Sequence, residues 1–137
     1  MPSFSQRSAA HLATCHPDLQ RVFAEVVRHF DCSVLCGRRG KAEQDEAVAK
    51  GFSKVAYPGS KHNAETPELS RAVDVVPYPI DWGDRDRFYH FAGFVRGVAL
   101  CMGIKIRWGG DWDGDTDLSD QTFMDWPHFE LIDTEDA

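Results

Sequence analysis

Residues 72–77 read AVDVVP. Small and β-branched apolar residues followed by a proline predict a buried strand that Pro77 stops. Asp74 stands in the middle of it. A buried carboxylate needs a partner or a cation, because desolvating an unpaired charge is costly. Backbone N–H groups at a strand end are the plainer way to satisfy it; a bound metal ion is the chemical way.

Around this strand the chain alternates predicted elements and loops. HPDLQRVFAEVVRHF (16–30) predicts a helix, with Pro17 at its first position and Leu19, Val22, Phe23, Val26, Val27 and Phe30 on one face. CSVLCG (32–37) predicts a short strand. KAEQDEAVAKGF (41–52) predicts a second, shorter helix ending near Gly51. Residues 53–71 are rich in Pro, Gly, Ser and Asn and predict a loop. After YPIDWGD (78–84) a third helix is expected over about Asp86–Met102, its core face made by Phe88, Phe91, Ala92, Val95, Val98, Ala99 and Met102. IKIRWG (104–109) and HFELI (128–132) predict strands, separated by an acidic loop. Helices and strands segregate, which favours an α+β class, and the absence of repeats or linkers favours one domain over residues 1–137.

A chain of 137 residues suits one core, and 42% hydrophobic with 12% aromatic content is ordinary for a soluble protein. The net charge of −7 argues against nucleic acid as a partner. No apolar run is long enough to predict a membrane span. MPSFSQRSAAHLATC (1–15) lacks the apolar core of a secretory signal, so synthesis in a cytoplasm is expected. Cys15, Cys32, Cys36 and Cys101 form no CxxC pair and are expected to be reduced and mostly buried. None of them is near His62, Asp74 or His128 in the sequence, which speaks against a structural, cysteine-based metal site.

The chemistry is concentrated in DWPHFEL (125–131) and GSKHN (59–63). His11, His16, His29 and His90 lie in helical segments without an acid at useful spacing and read as bystanders. His62, Asp74 and His128 make a suitable set for a catalytic zinc, whose three protein ligands leave a position open. Asp125, three residues before His128, is the candidate general base and then acid. Glu130 shares a strand face with His128 and would fix its tautomer. The bland alternative for this segment is an amphipathic edge strand.

Together these motifs resemble the LAS-type zinc peptidases, which include D-Ala-D-Ala carboxypeptidases and dipeptidases and phage L-alanyl-D-glutamate endopeptidases. The matching residues are Ser60-Lys61-His62, Ala72-Val73-Asp74, Asp125-Trp126-Pro127-His128-Phe129-Glu130 and the CGRRG…EQ segment, which places Arg39 in the site. AVDVVPYPIDW and IRWGGDWD…DLSDQTF are most similar to the phage branch.

The resemblance implies an antiparallel sheet with about three helices, in a hedgehog/D-Ala-D-Ala peptidase-like fold. It implies Zn²⁺ held by His62, Asp74 and His128, with Asp125 and Arg39 catalytic. Ser60 and Trp112 would bind substrate, although Ser60 also suits a plain turn and Trp82, Trp108 and Trp112 also suit packing. The activity implied is hydrolysis of the peptidoglycan stem peptide at L-Ala–D-Glu by a monomeric endolysin. Such a lysin is made in the host cytoplasm and acts in the periplasm after release. D-Ala-D-Ala cleavage, or a non-catalytic wall-binding module with structural zinc, is the alternative.

Two features depart from the family pattern. Eleven residues, NAETPELSRAV, separate His62 from Asp74, a longer loop without the usual Gly, and Glu65 and Glu68 within it are further candidate contacts. The arginine is doubled, so Arg38 competes with Arg39. Finally, Asp111, Asp113, Asp115 and Asp117 occupy positions 1, 3, 5 and 7 of DWDGDTDLSDQT (111–122), a spacing resembling an EF-hand loop and a candidate Ca²⁺ site. Thr116 and Thr122 replace the Gly and Glu that such a loop uses at positions 6 and 12, so a solvated acidic loop is the alternative.

Overall fold

The computed structural model describes residues 2–120 and 124–132. In chain order it runs α1 (Gln6–Leu12), α2 (Pro17–His29), β1 (Cys32–Cys36), α3 (Lys41–Ala49), β2 (Ala72–Pro77), α4 (Arg85–Met102), β3 (Ile106–Trp108) and β4 (His128–Leu131). The strands pair antiparallel in the order β1-β2-β4-β3. The fold is therefore α+β, with four helices among the described residues where sequence periodicity indicates three.

The additional helix, α1, is short and has little apolar periodicity to betray it. Its signal is Ser5, whose hydroxyl accepts the Ser8 N–H and caps the first turn. Ser8 is buried because its own hydroxyl accepts the Val34 N–H at 3.0 Å, fastening α1 to β1. The longer helices follow their predicted faces. Leu19, Val22, Phe23 and Val26 of α2 and Phe91, Ala92 and Val95 of α4 meet in the core. Asp84 caps α4 by accepting the Arg87 N–H, and Gly103 ends it in the left-handed conformation (φ 72°). His29 is not partnerless: its Nε2 lies 2.9 Å from Glu25 Oε1, one helical turn back.

The pleat of the sheet divides structure from chemistry. Val73 and Val75 of β2 and Phe129 and Leu131 of β4 point into the helix-covered core. Phe129 is fully buried, edge-on to Phe23 at 5.5 Å and to Phe91 at 6.2 Å between ring centroids. The intervening residues Asp74, His128 and Glu130 fall on the other face. In the ladder Asp74 is opposite His128, and Glu130 is opposite Arg107. On the other side of β2, an irregularity between Val34 and Cys36 brings Cys36 opposite Asp74. Cys36, Asp74 and His128 thus form one row across three strands.

Replacing Phe129 tests whether this partition carries the fold. Phe129→Ala should cost about 3–5 kcal/mol of unfolding free energy, read by urea denaturation, because both neighbouring rings lose their partner. A loss below about 1 kcal/mol would mean that the core closes without it.

Candidate active site

His62 arrives from the 53–71 loop and is almost wholly buried. Its Nδ1 lies 2.8 Å from the Gly37 carbonyl, which can only accept, so Nδ1 carries the proton and Nε2 is directed elsewhere. Nε2 lies 3.1 Å from Asp74 Oδ1. His128 approaches the same oxygen, with Nδ1 at 3.5 Å, while its Nε2 donates to Glu130 Oε1 at 2.7 Å. Each ring thus has one nitrogen fixed by an outer partner and the other turned towards Asp74. Two imidazole nitrogens face one carboxylate oxygen, donor types that suit Zn²⁺. The groups whose ligand atoms all lie within 4.8 Å of one another join Asp74 to His62 and Cys36, and to His128 and Asp125, rather than both histidines together.

The long insertion between His62 and Asp74 does not separate them. The Arg71 N–H donates to the Lys61 carbonyl at 2.9 Å, closing the loop at its neck. Glu65 and Glu68 lie on its exposed outer part, with Glu65 accepting from the Tyr57 hydroxyl, so neither is near the site.

Asp125 Oδ2 stands 3.9 Å from His128 Nδ1, and ligand atoms of Asp74, Asp125 and His128 all lie within 4.8 Å of one another. Gly109 sets this placement. Its carbonyl accepts the Asp125 N–H and its N–H donates to His128, both at 2.8 Å, and a Cβ on Gly109 would fall 2.1 Å from the Asp125 carbonyl. Burial, then the Asp74 charge, pushes the Asp125 carboxyl up to about 6, although the imidazoles and Arg39 pull the other way.

The doubled arginine separates cleanly. Arg39 reaches into the cleft, where Nη1 donates to buried Gln44 Oε1 at 2.8 Å and Nη2 lies 3.5 Å from Asp74 Oδ2. Arg38 turns outward and donates to the Glu68 carbonyl. Glu130 is anchored on its far side by Arg107 at 3.1 Å and Lys61 at 3.4 Å, two cations that sequence spacing did not connect to it. The Ser60 hydroxyl accepts the His62 N–H at 3.2 Å, the turn-forming role, at the edge of the cleft. Trp112 faces His128 with ring centroids 5.2 Å apart. Trp108 is core, donating to the Trp126 carbonyl, and Trp82 stacks on Phe88.

Sequence distance misleads for one cysteine. Cys36 is distant from the site residues in sequence but adjacent in space, because the strand irregularity turns it to the Asp74 side. Ligand atoms of Cys36, His62 and Asp74 lie within 4.8 Å of one another. Cys15 and Cys32 are buried as expected, whereas Cys36 is half-buried and Cys101 exposed.

In the acidic loop, Asp111, Asp113 and Asp115 gather within 4.8 Å. Asp111 is fully buried, with Oδ2 accepting from Arg96 at 3.1 Å and from the Thr116 N–H at 2.9 Å. Its Oδ1 has no hydrogen-bond partner among the described residues. Asp117 turns away to accept from Ser119, and Thr122 lies outside the described residues.

The site lies in a cleft of about 1280 Å³. That exceeds the roughly 300–1,000 Å³ of small-molecule pockets and suits an extended peptide.

Comparison with known proteins gives one answer. The sequence model of a family described as phage L-alanyl-D-glutamate peptidase matches residues 2–132. The L-alanyl-D-glutamate peptidase of Escherichia phage T5 is 30% identical over 138 aligned residues, covering 94% of this chain and 97% of that protein. The crystal structure of the Serratia marcescens L-Ala D-Glu endopeptidase ChiX matches with a TM-score of 0.71 and 33% identity, over 96% of this chain and 91% of that one.

The electrostatics around Asp74 generate a prediction. Burial alone would lower the pKa of His62, but the Asp74 charge and hydrogen bond outweigh it and keep the imidazole protonated well above its ordinary range. Burial alone would likewise raise Asp74, yet the two imidazoles hold it ionised. A zinc ion taken up at His62 would have to displace this proton, so its uptake at pH 7 should release protons and tighten as pH rises towards the raised His62 value. Calorimetry in two buffers of different ionisation enthalpy reads the release directly; buffer-independent heats would show His62 neutral beforehand.

Proposed function

Because the chain belongs to the phage L-alanyl-D-glutamate peptidase family, we propose that it is a zinc peptidase. It hydrolyses the L-alanyl–D-glutamyl bond in peptidoglycan stem peptides and acts on the cell wall as an endolysin. The observation that carries this reading is Asp125: a carboxylate whose Oδ2 lies 3.9 Å from His128 Nδ1, next to the two histidines that face Asp74, and opening on a peptide-sized cleft. Among the described residues no helix is long and apolar enough to cross a membrane.

His62, Asp74 and His128 would hold the zinc, which would supply a Lewis acid able to lower the pKa of water to about 7 and polarise a carbonyl. The chain's own groups do the rest. Asp125 takes the proton from the attacking water and passes it to the leaving amine of D-Glu, a double duty suited to a carboxyl raised towards neutrality. Arg39, held by Gln44, presents a planar cation to the developing oxyanion or a stem carboxylate. Glu130, clamped by Arg107 and Lys61, keeps the His128 proton on Nε2 so that Nδ1 remains a ligand. Trp112 and Ser60 flank the bound peptide. Asp111, Asp113 and Asp115 would hold a calcium ion, with the unpartnered Asp111 Oδ1 available as one ligand.

Digestion of purified peptidoglycan followed by mass spectrometry tests the bond assignment: new N-terminal D-Glu is expected, and released D-Ala would replace this reading with the carboxypeptidase one. Asp125→Ala should keep zinc and lose about 10²–10⁴-fold in turnover. Arg39→Ala should cost about 10²–10³-fold, and loss of zinc in the Asp125 variant would make that residue a ligand instead. Calorimetric titration of chelator-treated protein with calcium should give binding that Asp111→Asn weakens; no heat in the millimolar range would leave the loop metal-free.

A further inference from the structure

Cys36 is a thiol that the peptidase reading does not use. Its place is built by the sheet. β1 gains a residue between Val34 and Cys36, which sets Cys36 opposite Asp74 instead of leaving it in the core, where Cys32 and Val34 point. There Sγ shares a 4.8 Å neighbourhood with ligand atoms of His62 and Asp74. One cationic donor already spans the thiol and the carboxylate: Arg39 Nη2 lies 3.7 Å from Sγ and 3.5 Å from Asp74 Oδ2. Sγ also lies 3.6 Å from the Gly37 carbonyl that fixes His62.

We propose that Cys36, His62 and Asp74 form a second ligand set, overlapping the His62–Asp74–His128 set, that takes a thiophilic divalent metal ion such as Cd²⁺. The donors are one sulfur, one imidazole nitrogen and one carboxylate oxygen. Replacing the second imidazole by a thiolate shifts preference from borderline to soft ions. The thiol proton leaves to solvent as the metal–sulfur bond forms, with no redox change. Because His62 and Asp74 serve both sets, a soft ion and the catalytic one exclude each other. The inference concerns metal binding and does not depend on which peptide bond is cut.

The competing thiols are separable. Cys15 and Cys32 are buried, and burial pushes both up to about 12, so neither is a ready thiolate. Cys101 is exposed and is removed as Cys101→Ser. The full chain carrying Cys101→Ser, freed of metal by chelator, is titrated with Cd²⁺ and followed by ultraviolet absorbance. A thiolate-to-cadmium charge-transfer band saturating at one equivalent is expected, and it should vanish when Cys36→Ser is added with the circular dichroism unchanged. In the unsubstituted chain, Cd²⁺ should shield Cys36 but not Cys101 from alkylation, read by peptide mass mapping, which keeps the test valid if the Cys36 variant fails to fold. Absence of the band, its survival in the Cys36→Ser protein, or equal alkylation of Cys36 with and without cadmium overturns the proposal.

Discussion

A carboxylate in the middle of a buried strand has to be compensated, and the arrangement around Asp74 is that compensation. Its two oxygens receive His62 and His128 on one side and Arg39 on the other. Each of those groups is held by something further out: His62 by the Gly37 carbonyl, His128 by Glu130, Arg39 by Gln44. Glu130 is in turn anchored by Lys61 and Arg107. The result is a set of charges held in place by the fold itself, which is what electrostatic catalysis requires.

The sheet makes this possible at little cost to the core. With a period of two, the same short strand FEL supplies Phe129 to the hydrophobic interior and Glu130 to the site, and His128 follows Glu130's side. The helices α2 and α4 cover only the core face. The other face is left to the 53–71 loop and the acidic segment, whose irregular backbone can present side chains at angles that a helix would not allow. Gly109 illustrates the tolerance involved: backbone meets backbone there, and only a residue without Cβ lets Asp125 come so close to His128.

Variation from the family pattern is absorbed where it does not disturb this geometry. The lengthened segment between His62 and Asp74 is pinched at Lys61 and Arg71, so its extra residues project into solvent while the ends stay in register. Long insertions in surface loops carry a small entropic cost, since closure entropy grows only with the logarithm of length.

The sequence by itself determined much of this protein. Apolar pattern is a local property, so α2, α4 and the strands AVDVVP and HFEL were legible residue by residue, and so was the coincidence of Asp125, His128 and Glu130 on one short segment. The residue pattern supplied His62 and Asp74 as candidates, and the family resemblance added Arg39. What only the tertiary structure decided is which distant residues meet. Arg39 rather than Arg38 enters the cleft because Gln44 and Asp74 are there to receive it. Asp117 turns to Ser119 while Asp111, Asp113 and Asp115 converge. Cys36 joins the site because a single irregularity in β1 shifts the register of its pairing with β2. Register and bulges are set by the pairing of strands far apart in the chain, so no local pattern in the sequence records them.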